Sequence, residues 1–240
     1  MRTAVRTAFP DWSARFEGSV SWLYLDILGF VTIAIGNLVD DTKTGTPPES
    51  ALSLPLVHPD GRPATREEIG AAWRKVKAHP QLARWGHRAA EAVTSLRLTP
   101  EGVRLVVLRK LDDVERQLRA RFPEWEEWPA AAQLATLSMA WACGAAFRYP
   151  RLEAALKRRD WATAAKECHI NEKGNPGVAP RNVANVALYL VAASNPDPDA
   201  LDDLPPTMPE VVQPRNPDTA SEGIADDAVA TYKRDRDRGE

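Results

Sequence analysis

The sequence predicts an α+β fold that is mostly helical, with a small β-hairpin near the N-terminus. Three observations predict it. Residues 24–39 are β-rich and interrupted by glycines, apolar residues recur at helical spacing from Val103 to Leu118, and residues 130–147 are apolar nearly all round. With 240 residues, the chain is long enough for one sizeable domain with a hydrophobic core.

The first predicted elements are a short helix and then the hairpin. Asp11 follows a proline and can cap a helix that runs to Phe16, and Gly18 is placed to end that helix. Hairpin strands are predicted over residues 24–26 and 30–35, separated by a turn at Leu28 and Gly29. Glu17 would then lie at the C-terminal end of the helix, across from the hairpin.

Residues 40–97 are predicted to begin as a loop and to continue as two helices. Proline and glycine content predicts the loop over residues 42–64, and Thr65 with Glu68 fits a capping box at the start of a helix. The apolar stripe of that helix is Ile69, Trp73 and Val76. A second helix is predicted over residues 80–94. The region could cover a binding groove or dock a partner, although packing onto the core is the simpler interpretation.

The rest of the chain is predicted to be helical up to about Ser194. A long amphipathic helix should begin at Thr99 and Pro100, and a buried one should begin at Pro129. Further helices are predicted over residues 151–158, over 160–167 and from 180 onward. Residues 1–194 would thus form one domain, and residues 195–240, rich in Pro and Asp, would form a mostly disordered tail. The alternative for the tail is an ordered strap across the domain.

Composition excludes several classes of function. The formal charge of −2 gives no global basic field for nucleic acid. Two cysteines are too few for a disulfide framework, and the four histidines lack ligand spacing, so we predict no metal and no cofactor. Cys143, within an apolar run, is predicted to be a buried thiol. The N-terminus has no apolar core of the length that a signal peptide needs.

Residues 16–37 are the stretch that suggests chemistry. Glu17 is followed nine residues later by Asp26 and six residues after that by the hydroxyl of Thr32. The apolar neighbours of the two acids are Phe16, Val20, Trp22, Leu23, Leu25, Ile27 and Leu28. Such surroundings disfavour a charged carboxylate and should raise its pKa. Two carboxyls in unlike environments are what hydrolysis of a glycosidic bond requires, because one donates a proton while the other stays ionised.

The spacing within this stretch resembles a known active-site signature. The pattern is E-G, five residues, Y-x-D, two residues, G, two residues, T-I-x-I-G, from Glu17 to Gly36. It is similar to the signature of the phage-type lysozymes, glycoside hydrolase family 24. Ala34 stands where that family commonly has Gly, and Asn37 where it commonly has His.

The resemblance implies a fold, a reaction and roles for residues. The fold would be lysozyme-like, with a small β-hairpin lobe and a helical lobe joined by a long helix. The enzyme would be a muramidase that cuts peptidoglycan between N-acetylmuramic acid and N-acetylglucosamine. Glu17 would be the general acid, Asp26 the second carboxylate, and Thr32 the hydroxyl that helps to hold the attacking water. The family inverts the anomeric centre, which requires carboxyls ~6.5–9.5 Å apart.

The resemblance also implies how substrate binds and where the protein acts. The expected substrate-binding residues are Tyr24, Asn37, Leu38 and Arg181. Arg181 would pair with Glu17 and lower its pKa, the alternative being a surface Arg in a first helical turn. The protein would be a monomer, made in the bacterial or phage-infected cytoplasm and carried to the cell wall by holin release or a secretion machine. An immunity protein or a secretion carrier would be its protein partner.

Four alternatives compete with this interpretation. The apolar run over residues 20–39 could be a membrane span, although the central Asp26 argues against it. Glu17 and Asp26 could be ordinary solvated acids. The same acids could cut chitin or chitosan. Finally, a catalytically inactive lysozyme-fold module could bind glycan or a partner protein, using residues 40–97 as its docking surface.

Overall fold

The computed structural model describes residues 1–40, 45–173, 176–195 and 197–201. Within these residues the chain is helix-rich and carries a small antiparallel sheet of three strands and a second sheet of two. The strands are β1 (Val20–Leu25), β2 (Val31–Ala34), β3 (Asn37–Leu38), β4 (Leu56–Val57) and β5 (Arg97–Leu98). The predicted mostly helical α+β class is therefore correct.

Helices precede, separate and follow these strands along the sequence. They are α1 (Thr3–Glu17), α2 (Glu49–Leu52), α3 (Arg66–Lys77), α4 (Leu82–Ala90), α5 (Pro100–Arg121), α6 (Ala130–Cys143), α7 (Pro150–Lys157), α8 (Trp161–Glu167) and α9 (Ala179–Ser194). Within the described ranges, no helix is both long enough and apolar enough to cross a membrane. Residues 20–39, the candidate membrane span, form the three-stranded sheet instead.

The chain divides into two compact units. The helical unit consists of residues 1–16 and the described residues from Leu108 onward, and the hairpin unit consists of residues 17–107. Helix α5 contributes residues to both, because the division falls between Val107 and Leu108.

The hairpin unit is organised by strand pairing and by α3. Strand β2 pairs with β1 and β3 in antiparallel register, and β4 pairs with β5. Thr65 and Glu68 form the predicted capping box, since the Thr65 hydroxyl accepts from the Glu68 N–H and the Glu68 carboxylate accepts from the Thr65 N–H. The predicted stripe of Ile69, Trp73 and Val76 is buried. The capping box and the apolar stripe act together on α3. The capping box fixes where the helix begins, and the stripe packs the helix on the sheet.

The helical unit is built around α6. All residues from Ala130 to Trp141 are buried, as the apolar run predicts. Polar side chains in this core find partners. The Thr136 hydroxyl lies 2.8 Å from the Tyr189 hydroxyl on α9, and Gln133 donates to the Trp125 carbonyl at 2.7 Å. Such bonds offset the cost of burying polar groups among apolar helices.

Several predicted boundaries are wrong. Helix α1 begins at Thr3, not near Asp11, and contains Pro10. An interior proline costs about 3 kcal/mol, which burial of Val5 and Phe9 on the same helix offsets. The predicted loop over residues 42–64 contains α2 and β4, and its residues 42–44 lie outside the described residues. Strand β4 forms because β5 pairs with it from forty residues away, which local composition does not reveal.

Two further predictions are wrong, and a third concerns residues outside the described ranges. The second helix of the 40–97 region is shorter than predicted and is broken by Gly86 (φ 76°). Cys143 is exposed rather than buried, because it is the last residue of α6 and Gly144 (φ 81°) turns the chain there. Most of the predicted tail, residues 202–240, lies outside the described residues.

Candidate functional site

Glu17 is positioned by the end of α1. Gly18, with φ 70°, ends the helix as predicted and turns the chain into β1. The Glu17 carboxylate lies over the turn between β2 and β3, because a Cβ added to Gly36 would stand only 3.6 Å from Glu17 Oε2. Gly36 has φ 65° and no side chain. Both properties suit a tight turn that a carboxylate approaches closely.

Asp26 is held by the turn that follows β1. Its Oδ1 accepts two backbone N–H bonds, from Leu28 and Phe30, each at 2.9 Å. The Asp26 N–H donates to the Phe30 carbonyl at 2.9 Å. This arrangement closes the turn and fixes the carboxylate with one oxygen engaged by the backbone. Oδ2 lies outside these bonds.

Tyr24 and Thr32 are direct cross-strand partners in the sheet. Paired residues project from the same face with Cβ atoms about 4.5–5.5 Å apart. Thr32 is 4% exposed, and its hydroxyl donates to the Phe30 carbonyl at 3.2 Å. Burial, with the nearby charges of Glu17 and Asp26, raises the pKa of the Tyr24 phenol to about 12. Both carboxylates are thus close enough to Tyr24 to act on it electrostatically.

The Tyr24 phenol offers a test of this geometry that does not depend on activity. Because its folded pKa of about 12 exceeds the ordinary value near 10, folding favours the protonated phenol. That stabilisation is complete below pH 10 and is lost as pH rises through 12. We expect the ultraviolet difference titration between the protein and Tyr24→Phe to show a phenol with a midpoint near 12.

Removing one charge should then move the midpoint. In Glu17→Gln the Tyr24 midpoint should fall, because a nearby negative charge that disfavours phenolate is gone. Glu67→Gln, the same change at an exposed residue of α3, should leave the midpoint where it is. An unchanged midpoint in Glu17→Gln would show that Glu17 lies away from Tyr24.

Asn37 and Leu38 follow the β2–β3 turn and differ in environment. Asn37 is buried, with its Oδ1 accepting from the Ile35 N–H and its Nδ2 donating to the Val106 carbonyl, both at 3.3 Å. The Asn37 side chain therefore braces the turn against α5. Leu38 is exposed and pairs with Thr32, which places it on the Tyr24–Thr32 face. Strand β3, which contains both residues, follows the two strands that the sequence predicted and was not itself predicted.

Ala34 occupies a backbone conformation that favours glycine. It has φ 56° at the end of β2, in the position where the resembled family commonly has Gly. A left-handed conformation costs a residue with a Cβ about 1–2 kcal/mol, whereas loss of the buried methyl costs about 0.8 kcal/mol. We expect Ala34→Gly to stabilise the protein by roughly 0.5 kcal/mol in urea unfolding. A loss of stability instead would mean that packing of the methyl outweighs backbone strain.

Lys77 and Asp40 form a clamp behind the Asp26 turn. The Lys77 ammonium donates to Asp40 Oδ2 at 2.7 Å and to the Gly29 carbonyl at 2.9 Å. Asp40 Oδ2 also accepts from the Val31 N–H at 2.7 Å, and the Asp40 side chain is fully buried. The clamp joins α3 to Gly29 within the Asp26 turn and, through Asp40, to Val31 just after it. Sequence reasoning missed it, although Lys77 continues the buried row of Ile69 and Trp73 in steps of four.

Arg181 lies in the helical unit and is almost completely buried, at 2% exposed. Its Nη1 donates to the carbonyl and the hydroxyl of Ser138, at 3.2 and 3.1 Å. Its guanidinium stands 4.8 Å from the ring centre of Phe16, the residue before Glu17. The alternative of a surface Arg is therefore wrong. Pairing of Arg181 with Glu17 stays a prediction.

The surroundings of the two acids are less apolar than predicted. Glu17 is exposed at the helix end. Ile27 and Leu28, which were expected to flank Asp26, are 89% and 71% exposed, because side chains at the tip of a tight turn project into solvent. Leu23 and Leu25 are buried but belong to the opposite face of β1 from Tyr24. Burial among apolar side chains therefore does not distinguish the Glu17 and Asp26 carboxyls from other acids of the chain.

Comparison of the sequence with models of protein families and with curated proteins gave no match. Among the described residues, no three His, Cys, Asp or Glu side chains come together in a group that could hold a metal ion. Glu17, Tyr24, Asp26 and Thr32, all within the hairpin unit, are the residues that suggest a function.

Proposed function

We propose that the protein is a glycoside hydrolase of the lysozyme type, a muramidase that cuts peptidoglycan between N-acetylmuramic acid and N-acetylglucosamine. The observation that carries the proposal is the geometry of the hairpin unit: Tyr24 pairs with Thr32 across the sheet, the turn after β1 holds Asp26 by two N–H bonds, and the Glu17 carboxylate lies beside Gly36. Two carboxyls that flank the bond are what acid–base cleavage of a glycosidic bond requires, and Thr32 adds a hydroxyl that can hold the water.

The roles follow from how each group is held. Glu17 is exposed at a helix end, where a protonated carboxyl can reach the oxygen of the leaving sugar and donate its proton. Asp26 has Oδ1 fixed by two N–H bonds, so Oδ2 can accept a proton from water as that water attacks the anomeric carbon. The Thr32 O–H is committed to the Phe30 carbonyl, so its oxygen acts as an acceptor for the same water.

The wider proposal includes the lysozyme-like fold and the place of action. A helix-rich chain with a small hairpin sheet is compatible with that fold. Peptidoglycan would be the substrate, an immunity protein or a secretion carrier the protein partner, and the cell wall the place where the enzyme acts. Inversion at the anomeric carbon is expected if the two carboxyls leave room for a water between them and the sugar.

The substrate is tested by comparing release of soluble sugar from purified peptidoglycan and from chitin. We expect release from peptidoglycan and little from chitin. Preferential release from chitin would replace the muramidase assignment with that of a chitin-cleaving enzyme that uses the same acids.

A second candidate is a module that binds a partner protein or glycan without cutting it. Exposure of Ile27 and Leu28 beside Asp26 favours it, because large apolar side chains at a turn tip are a common feature of binding surfaces. Binding to cell walls by both the protein and its Glu17→Gln variant, with cutting by neither, would establish this candidate in place of the enzyme.

A further inference from the structure

A cluster of aromatic side chains extends the candidate site along β1. The ring of His87, on α4, lies 6.2 Å from the Trp22 ring and 6.0 Å from the Tyr24 ring, measured between centroids. His87 is exposed, and Trp22 and Tyr24 are each partly exposed. We call these three residues the aromatic shelf. Tyr24 belongs both to the shelf and to the group formed with Glu17 and Asp26.

Two irregularities of the backbone build the shelf. Between Val20 and Tyr24, the stretch that contains Trp22, the register of β1 against β2 shifts, as it does at a bulge or a similar irregularity. Bulges re-aim side chains, and here both Trp22 and Tyr24 meet the His87 ring. On the other side, Gly86 adopts φ 76° and ψ 174° inside α4 and interrupts the helix directly before His87. Only glycine adopts this conformation readily, so the presence of Gly86 is what allows α4 to break at this position.

The Trp22 ring is fixed rather than mobile. Its indole N–H donates to the His87 carbonyl at 2.8 Å, and the Arg97 guanidinium lies 5.3 Å from its ring centre. Arg97 in turn donates to the carbonyls of Glu91 and Leu96, at 2.8 and 2.9 Å. A rigid aromatic surface binds at lower entropic cost than a mobile one, because its rotamers are already restricted.

We propose that the aromatic shelf is a sugar-binding subsite that takes one pyranose ring of a glycan strand, beside the bond that Glu17 and Asp26 would cut. The inference rests on the proposed function, which supplies the glycan. A sugar ring is the expected occupant because the shelf adjoins the candidate site. A glycan strand that binds at Asp26 and runs along β1 passes Tyr24 and then Trp22. The C–H faces of a pyranose ring pack on aromatic rings, and the Tyr24 hydroxyl and the His87 ring nitrogens can form hydrogen bonds with its hydroxyls.

Binding is tested in the Glu17→Gln background, so that the ligand is not cut. The probe is the peptide-free tetrasaccharide of alternating N-acetylglucosamine and N-acetylmuramic acid, titrated by calorimetry. His87→Ala removes the exposed ring but keeps the backbone carbonyl that Trp22 uses. We expect its Kd to rise about fivefold to tenfold, in line with the worth of an aromatic contact. His169→Ala, the same change at an exposed histidine of the helical unit, should leave Kd unchanged.

A second variant, together with folding measurements, shows whether weaker binding is caused by misfolding. Trp22→Leu should weaken binding at least as much as His87→Ala, with the far-ultraviolet circular dichroism and the unfolding midpoint of each variant measured alongside. An unchanged Kd in folded His87→Ala and Trp22→Leu would overturn the subsite. Absence of tetrasaccharide binding by the Glu17→Gln parent would overturn it too.

Kinetics separate the subsite from the proposed function. In the otherwise wild-type enzyme, His87→Ala should raise KM with little change in kcat, because the ring contacts a sugar and not the reacting atoms. If the protein binds the tetrasaccharide through the shelf but never cuts peptidoglycan, the subsite stands and the hydrolase proposal fails. If it cuts peptidoglycan and His87→Ala changes neither Kd nor KM, the hydrolase stands and the subsite fails.

Discussion

Glu17→Gln should reduce the turnover of peptidoglycan by about 10²–10⁴-fold, the range that a positioned general acid contributes. Glutamine has nearly the same shape and can still form hydrogen bonds beside Gly36, but it has no proton to give to the leaving sugar. The measurement is the initial rate of clearing of a cell-wall suspension, together with release of reducing ends.

The control for this variant is Glu67→Gln. Glu67 is also exposed and also lies at a helix terminus, in the first turn of α3, but it is not part of the candidate site. Its rate should stay within about twofold of the wild-type rate. A Glu17→Gln enzyme that retained most of its activity would remove Glu17 from the chemistry, whatever the remaining residues do.

Lys77→Met should lower the free energy of unfolding by about 3–5 kcal/mol, the cost of leaving one member of a buried ion pair without its partner. The Asp40 carboxylate is fully buried, and within the described part of the chain its Oδ1 has no hydrogen-bond partner. Loss of the ammonium would leave the Asp40 carboxylate, within the described residues, with one hydrogen bond, from the Val31 N–H. Urea unfolding followed by circular dichroism measures the change.

Lys75→Met is the matched control, because Lys75 lies on the exposed side of the same helix. It should change stability by no more than about 0.5 kcal/mol. The double variant Asp40→Asn/Lys77→Met should cost less than the sum of the two single variants, since the residues contact each other. Equal effects of Lys77→Met and Lys75→Met would show that the clamp does not stabilise the hairpin unit.

Local sequence patterns predicted the elements whose determinants are local. The Thr65–Glu68 capping box, the buried row of α3 and the apolar run of α6 all formed as expected. Gly18 and the turn at Leu28 and Gly29 were predicted for the same reason, because glycine conformations and turn residues act over a few positions. The long helix α5 was predicted from its capping pair and its spacing.

What the sequence did not predict depends on contacts between distant residues. Strand β4 exists because β5 pairs with it, and the start of α1 depends on tertiary packing that outweighs the cost of Pro10. The clamp of Lys77 on Asp40 joins residues 37 positions apart. Exposure of Ile27 and Leu28 also escaped prediction, since hydrophobic character indicates burial on average but turn geometry decides it at a given position.

The residues of the candidate site were named from the sequence, and their role stays a prediction. The pattern from Glu17 to Gly36 pointed to residues that the hairpin unit holds around the Tyr24 phenol. The contribution of residues 40–97 was not foreseen beyond packing or docking, yet α3 supplies the clamp and α4 supplies His87. These contributions have no short sequence signature, because each depends on one side chain that reaches a strand remote in the chain.

The most direct test of the central claim is the chemical identity of the new reducing end after digestion of peptidoglycan. Digested material is reduced with borohydride and hydrolysed, and the amino-sugar alcohols are separated by mass spectrometry. A muramidase that uses Glu17 and Asp26 should yield muramitol as the main product, and the Glu17→Gln variant should yield almost none. Formation of glucosaminitol instead, or of no sugar alcohol above the undigested background, would contradict the account.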